Sequence, residues 1–181
     1  MISNGKFYES QFEEATIELL REAHWQYAFG DDIHRKYTDP LIEEDLRNFL
    51  TVQYKDKNLT TSEMDSIVAN LRNTGGQNDY YALRNAFLLY RDGYDFAYSD
   101  GRDNPFRLEY IDFEHPDHNI FRCVNQFVME QGRENRRPDI LLFINGIPVC
   151  IIELKNPTKQ NATIHDAHTQ ICAICGIFRH Y

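Results

Sequence analysis

The chain has 181 residues, 19 basic and 28 acidic, for a formal net charge of −9. Its 42% of apolar and aromatic residues suffice for one folded domain, and exclude both a disordered tail and a disulfide-stapled mini-protein. The acidity excludes a protein that coats nucleic acid by bulk charge, but not a catalytic site for nucleic acid, which needs acidic metal ligands.

In chain order, residues 8–24 predict a helix, with Phe12, Ala15, Leu19 and Leu20 near one face and Ser10 as a capping candidate. Residues 40–53 predict a second, with Pro40 in its first turn. Residues 61–73 predict a third through Met64, Ile67, Val68 and Leu71, ended by Gly75-Gly76. Residues 79–91, rich in Tyr, Leu and Phe, predict a fourth; its aromatic stripe Tyr80, Tyr81, Phe87 and Tyr90 reads as helix packing rather than a base-stacking platform. Residues 92–104 read as loop. Strand-like runs follow at 106–112, 120–129, 139–145 and 149–155, and a helical stretch begins near Thr163. The expected fold class is α/β. It has a small mixed sheet flanked by helices, built from 1–29 and 96–181, with 30–95 as an inserted helical lobe in a single domain.

Nothing approaches the roughly 18 apolar residues of a membrane span, and the N-terminal residues do not form a signal peptide, so the expected location is cytoplasmic. The cysteines inside apolar runs read as buried, reduced thiols. Without a secretory signal the sequons at Asn58 and Asn161 carry no message. Charge is uneven. Residues 1–50 hold five basic and eleven acidic groups, whereas residues 131–160 hold five basic and three acidic ones. The strand-rich part is therefore the better place to meet phosphate.

The informative stretch is 137–157, RPDILLFINGIPVCIIELKNP. Asp139 opens one apolar strand, Asn145-Gly146 signals a turn, and a second apolar strand ends in Glu153-Leu154-Lys155. Burying two acids and a lysine is costly unless something offsets them, and a divalent cation does so. Asp139, Glu153 and the Leu154 carbonyl would hold one or two Mg²⁺ ions on oxygen ligands. Lys155 would orient the attacking water or stabilise charge growing on the phosphate. Arg136 and Arg137 would grip flanking phosphates. Alternation puts Glu153 and Lys155 on one face. Asp139 joins them only if the loop has an odd number of residues, with Gly146 at its centre. An isolated D…ExK match more often marks the frayed end of a hairpin. Here Pro138, the turn signal and the strand-ending Asn156-Pro157 accompany it.

These residues resemble the PD-(D/E)xK nuclease superfamily. Asn125-Gln126-Phe127, Arg137-Pro138-Asp139, Asn145-Gly146-Ile147-Pro148 and Glu153-Leu154-Lys155-Asn156-Pro157 closely resemble the N-terminal endonuclease domain of type I restriction enzyme R subunits, as does the first helix more loosely. The resemblance implies a restriction-endonuclease-like core that cleaves double-stranded DNA without sequence preference after ATP-driven translocation. It also implies assembly with specificity and methylation subunits. It adds Glu13 as a further metal ligand, and Gln126 and Gln170 as DNA contacts. The chain lacks a G-x-x-x-x-G-K-[ST] phosphate loop, so ATP would bind only in the full-length subunit and the chain is expected to be a fragment. Ile174 stands where the family usually places a tyrosine four residues after Gln170, which leaves a catalytically inactive docking module as the alternative. A zinc site on His165, His168, Cys172 and Cys175 is disfavoured, because a helix spreads them over about 15 Å. His115-x-x-His118 reads as a solvated loop.

Overall fold

A computed structural model describes residues 9–74, 79–131 and 134–154. The expected Gly75-Gly76 helix end and the helix after Thr163 lie outside these residues. Within them the chain divides into two units. One comprises 9–38, 121–131, 134–143 and 148–154; the other comprises 39–74, 79–120 and 144–147. The protein is α/β, with four α-helices and a mixed sheet among the described residues.

In the first unit, α1 spans Glu9–Glu22, so Ser10 lies inside the helix rather than at its cap. Its end is built without glycine. His24 takes φ 67°, the Trp25 N–H donates to the Leu20 carbonyl and the His24 N–H to that of Arg21. This is the paired-bond termination of a left-handed cap, and it delivers the chain directly into β1, Gln26–Phe29. That strand has no counterpart among the expected ones. It pairs in parallel with β4, Phe121–Asn125, in the register Gln26↔Arg122 to Phe29↔Asn125. Trp25 packs edge-on to Phe121 at 5.2 Å. Gly30 follows β1, and a Cβ there would lie 2.4 Å from the Gln126 carbonyl oxygen, so only glycine permits this approach.

The sheet order is β1-β4-β7-β8, with β7 at Ile140–Ile144 and β8 at Ile147–Ile152. The expected strand 120–129 is instead β4, a bend at Gln126 (φ 56°), and β5, Met129–Gln131, which pairs antiparallel with β6, Glu134–Arg136. Phe127 packs against Phe143 with ring centroids 5.1 Å apart, and the Arg35 guanidinium lies 3.4 Å above the Phe127 ring. Cys123 is buried, and burial raises its thiol pKa. Cys150 is exposed, as is its neighbour Val149, which corrects the reading of cysteines in apolar runs as buried.

The second unit is helical with a small hairpin. It contains α2 at Glu43–Gln53, α3 at Thr61–Arg72, α4 at Asp79–Asp92, and the antiparallel pair β2, Tyr94–Phe96, and β3, Phe106–Leu108. Two of these differ from expectation: β2 falls in the supposed loop, and Pro40 precedes α2. Leu46, Phe49, Leu50, Ile67, Val68, Leu71, Leu108 and Tyr110 form its core. Along α4 the stripe divides: Tyr90 packs on the core, whereas Tyr80, Tyr81 and Phe87 are exposed. α3 begins with a capping box, in which Thr60 accepts from the Glu63 N–H and Glu63 accepts from the Thr60 N–H. Glu63 is only 2% exposed and also accepts from both terminal guanidinium nitrogens of Arg102, Nη1 at 2.8 and Nη2 at 2.7 Å.

The connection between β7 and β8 belongs to this second unit and contradicts the expected odd loop. It is two residues, Asn145 and Gly146, at φ 51° and 75°, the pair of left-handed conformations that a tight twisted hairpin requires. Asn145 is fully buried. Its carboxamide accepts from the Ile120 N–H at 2.7 Å and donates to the Tyr110 carbonyl and to Asn119. A Cβ on Gly146 would sit 2.1 Å from the Ile42 carbonyl oxygen.

Candidate functional site

A two-residue turn sets Ile144 across from Ile147. Counted outward along an unbroken ladder, it would set Asp139, the residue before β7, across from Ile152 rather than Glu153. The backbone register alone therefore does not place the two acids side by side. The Asp139 carboxylate nevertheless reaches along the neighbouring strand end, and its Oδ2 accepts the Leu154 N–H at 2.7 Å. The peptide between Glu153 and Leu154 is thus held against Asp139. Both carboxylate oxygens of Glu153 are shielded from solvent. Lys155 and Gln170 lie outside the described residues.

The flanking cations separate. Arg136 ends β6, across from Met129, and is partly buried; Arg137 is exposed in the link to β7. At the end of β4 the structure joins residues that the sequence treated separately. Glu13 Oε1 on α1 accepts from Asn125 Nδ2 at 2.9 Å and from Gln126 Nε2 at 3.2 Å. Asn125 is oriented in turn by Tyr27, whose hydroxyl donates to its Oδ1 at 3.0 Å. Gln126 thus holds an acid, and Glu13 is distinguished from Glu14 and Glu18 by these amides. Tyr27 was not foreseen, because it belongs to the strand that the sequence did not reveal.

In the second unit, Asp112, His115 and His118 each offer a ligand atom within 4.8 Å of the others. Both imidazoles are exposed, as a solvated loop would have them, but they face a buried carboxylate. Hydrogen bonds from the His115 amide, His118 and Gln53 keep the Asp112 carboxyl below its usual pKa. The signal available in sequence was the equal spacing of 112, 115 and 118.

The helices and the mixed sheet define an α/β domain. Comparison with known proteins gives it a family. The family described as "Type I restriction enzyme R protein N terminus" matches residues 6–173, and the chain belongs to it. The chain is 28% identical over 172 residues to the type I restriction enzyme HindI endonuclease subunit of Haemophilus influenzae, covering 90% of this chain and 16% of that protein. It is 30% identical over 163 residues to the putative type I restriction enzyme MjaIXP endonuclease subunit of Methanocaldococcus jannaschii, covering 86% of this chain and again 16% of the relative. The chain therefore spans about one sixth of the length of these relatives. No helix among the described residues is long and apolar enough to cross a membrane.

Proposed function

We propose that this chain is the DNA-cleaving domain of a type I restriction R subunit. It would hydrolyse phosphodiester bonds of double-stranded DNA without sequence preference, after ATP-driven translocation by parts of the longer subunit and in complex with specificity and methylation subunits. Family membership supports the restriction role. The observation that carries the cleavage reading is the Asp139–Leu154 hydrogen bond, which brings one acid to the backbone beside the other.

The family suggests a divalent cofactor, and the donors here are two carboxylates and a carbonyl, the all-oxygen set that suits Mg²⁺. Bound Mg²⁺ would polarise the scissile phosphate and lower the pKa of a coordinated water. Asp139, Glu153 and the Leu154 carbonyl would hold it, with Glu13 as a further acid steadied by Asn125 and Gln126. Lys155 would orient the attacking water and neutralise charge on the phosphate as the water–phosphorus bond forms and the bond to the leaving sugar oxygen breaks. Arg136 and Arg137 would fix flanking phosphates. These assignments make a superfamily-type nuclease core the expected architecture.

The test is restriction by the complete complex carrying Lys155→Ala or Asp139→Ala. Cleavage should fall by at least about 100-fold while ATP hydrolysis persists. Unimpaired cleavage by either variant would sink the proposed roles. A second reading, a docking module without catalysis, is favoured by the two-residue turn, which along an unbroken ladder would set Asp139 across from Ile152; unchanged cleavage in both variants would select it.

A further inference from the structure

We propose that Asp112, His115 and His118 form a site for a divalent transition metal of the zinc type, separate from the cleavage chemistry and not dependent on it. The short 3₁₀ turn Pro116–His118 follows His115 directly, and residues three apart eclipse in that geometry. The two imidazoles accordingly stack, 5.0 Å apart and 18° from parallel, with both Nδ1 atoms toward one oxygen. Asp112 Oδ2 lies 3.0 Å from His118 Nδ1 and 3.7 Å from His115 Nδ1. Ligand atoms on a tetrahedral zinc, with bonds of about 2.0–2.1 Å, stand about 3.3–3.4 Å apart. These spacings fall on either side of that value, and the two exposed rings would turn out of their near-parallel stack to aim both Nδ1 lone pairs at one ion.

The carboxylate is held in place before any ion arrives. Its Oδ1 accepts the Glu114 and His115 amides at 3.0 and 2.8 Å, and Gln53 Nε2 reaches Oδ2 at 3.1 Å. Asn119 clamps the Asp112 backbone from both sides, accepting its N–H at 2.9 Å and donating to its carbonyl at 2.7 Å. Such outer bonds orient a metal ligand and fix its charge. Imidazole nitrogens select zinc, nickel or copper over magnesium, so this site and the proposed cleavage site would take different ions. Exposure of both rings leaves a fourth position to solvent. Asn119 also accepts from Asn145, so an ion here would stiffen the loop that seats the buried hairpin turn.

The experiment is titration of the untagged full chain with Zn²⁺ by calorimetry, in a Cys172→Ser/Cys175→Ser background, together with the thermal unfolding midpoint. One ion per chain should bind and raise the midpoint. The His115→Ala/His118→Ala variant should lose at least about 100-fold in affinity, since even outer partners are worth about 10–100-fold, and should lose the rise in midpoint. Both rings are exposed, so its fold, checked by circular dichroism, should be intact. Asp139→Ala should bind Zn²⁺ as the parent does. Equal stoichiometry and affinity in the double-histidine variant would overturn the site, as would equal loss in Asp139→Ala.

Discussion

Glu63 shows how one side chain can serve two partners at once, the Thr60 amide and the Arg102 guanidinium. Pairing with Arg102, then the bond from the Thr60 amide, hold its carboxyl at about 2, against an ordinary 4.5. Because the folded-state pKa is depressed, the stability it contributes is fully present above about pH 4.5 and is lost as pH falls through about 2. Denaturant unfolding between pH 2 and 6 should show that loss, and Arg102→Met should flatten it. An unchanged acid slope would assign the pH dependence to other carboxylates. Asn145 makes a comparable case in a turn. Asn145→Ala leaves buried donors and acceptors unmet and strains a left-handed residue, at a cost of about 2–4 kcal/mol. Asn145→Gly should cost less, since it relieves the strain but not the missing bonds. Equal losses by denaturant midpoint would show that backbone conformation contributes nothing there.

At the scale of elements, the helices followed their sequence pattern because a 3.6-residue apolar repeat is local information. α3 buries Met64, Ile67, Val68 and Leu71, as that repeat demands. Leu46 on α2 is fully buried in the same core, so Leu46→Ala should lower unfolding free energy by about 2–5 kcal/mol in equilibrium denaturation. A loss below 1 kcal/mol would mean that the core closes over the gap. The strands were less legible. β1 has four residues, three of them exposed, and a helix end made by His24 rather than glycine, so neither length nor punctuation announces it. The hairpin was recognised, but its parity was not. Asn-Gly signals a two-residue turn, and the odd loop was inferred only from the need to align Asp139 with Glu153. The molecule instead keeps the tight turn and lets the Asp139 side chain span the offset to Leu154.

For the whole molecule, the candidate site depends on pairings far apart in sequence. β1 and β4 lie side by side although more than ninety residues separate them, and Glu13 meets Asn125 and Gln126 by the same long return. The acidic surplus lies largely in the first fifty residues, away in sequence from the mildly basic segment around Asp139. That distribution suits the function proposed above, in which other parts of a longer subunit would supply the DNA. The sequence by itself determined the family, the four helices and the chemical types gathered between Asp139 and Lys155, because these are written in local periodicity and contiguous motifs. Tertiary structure alone decided that Glu13 is the acid steadied by amides, that Asp139 binds the Leu154 amide, and that two loop histidines converge on Asp112. Each of these is a meeting of side chains from separate turns or strands, fixed by sheet pairing and burial that no local pattern encodes.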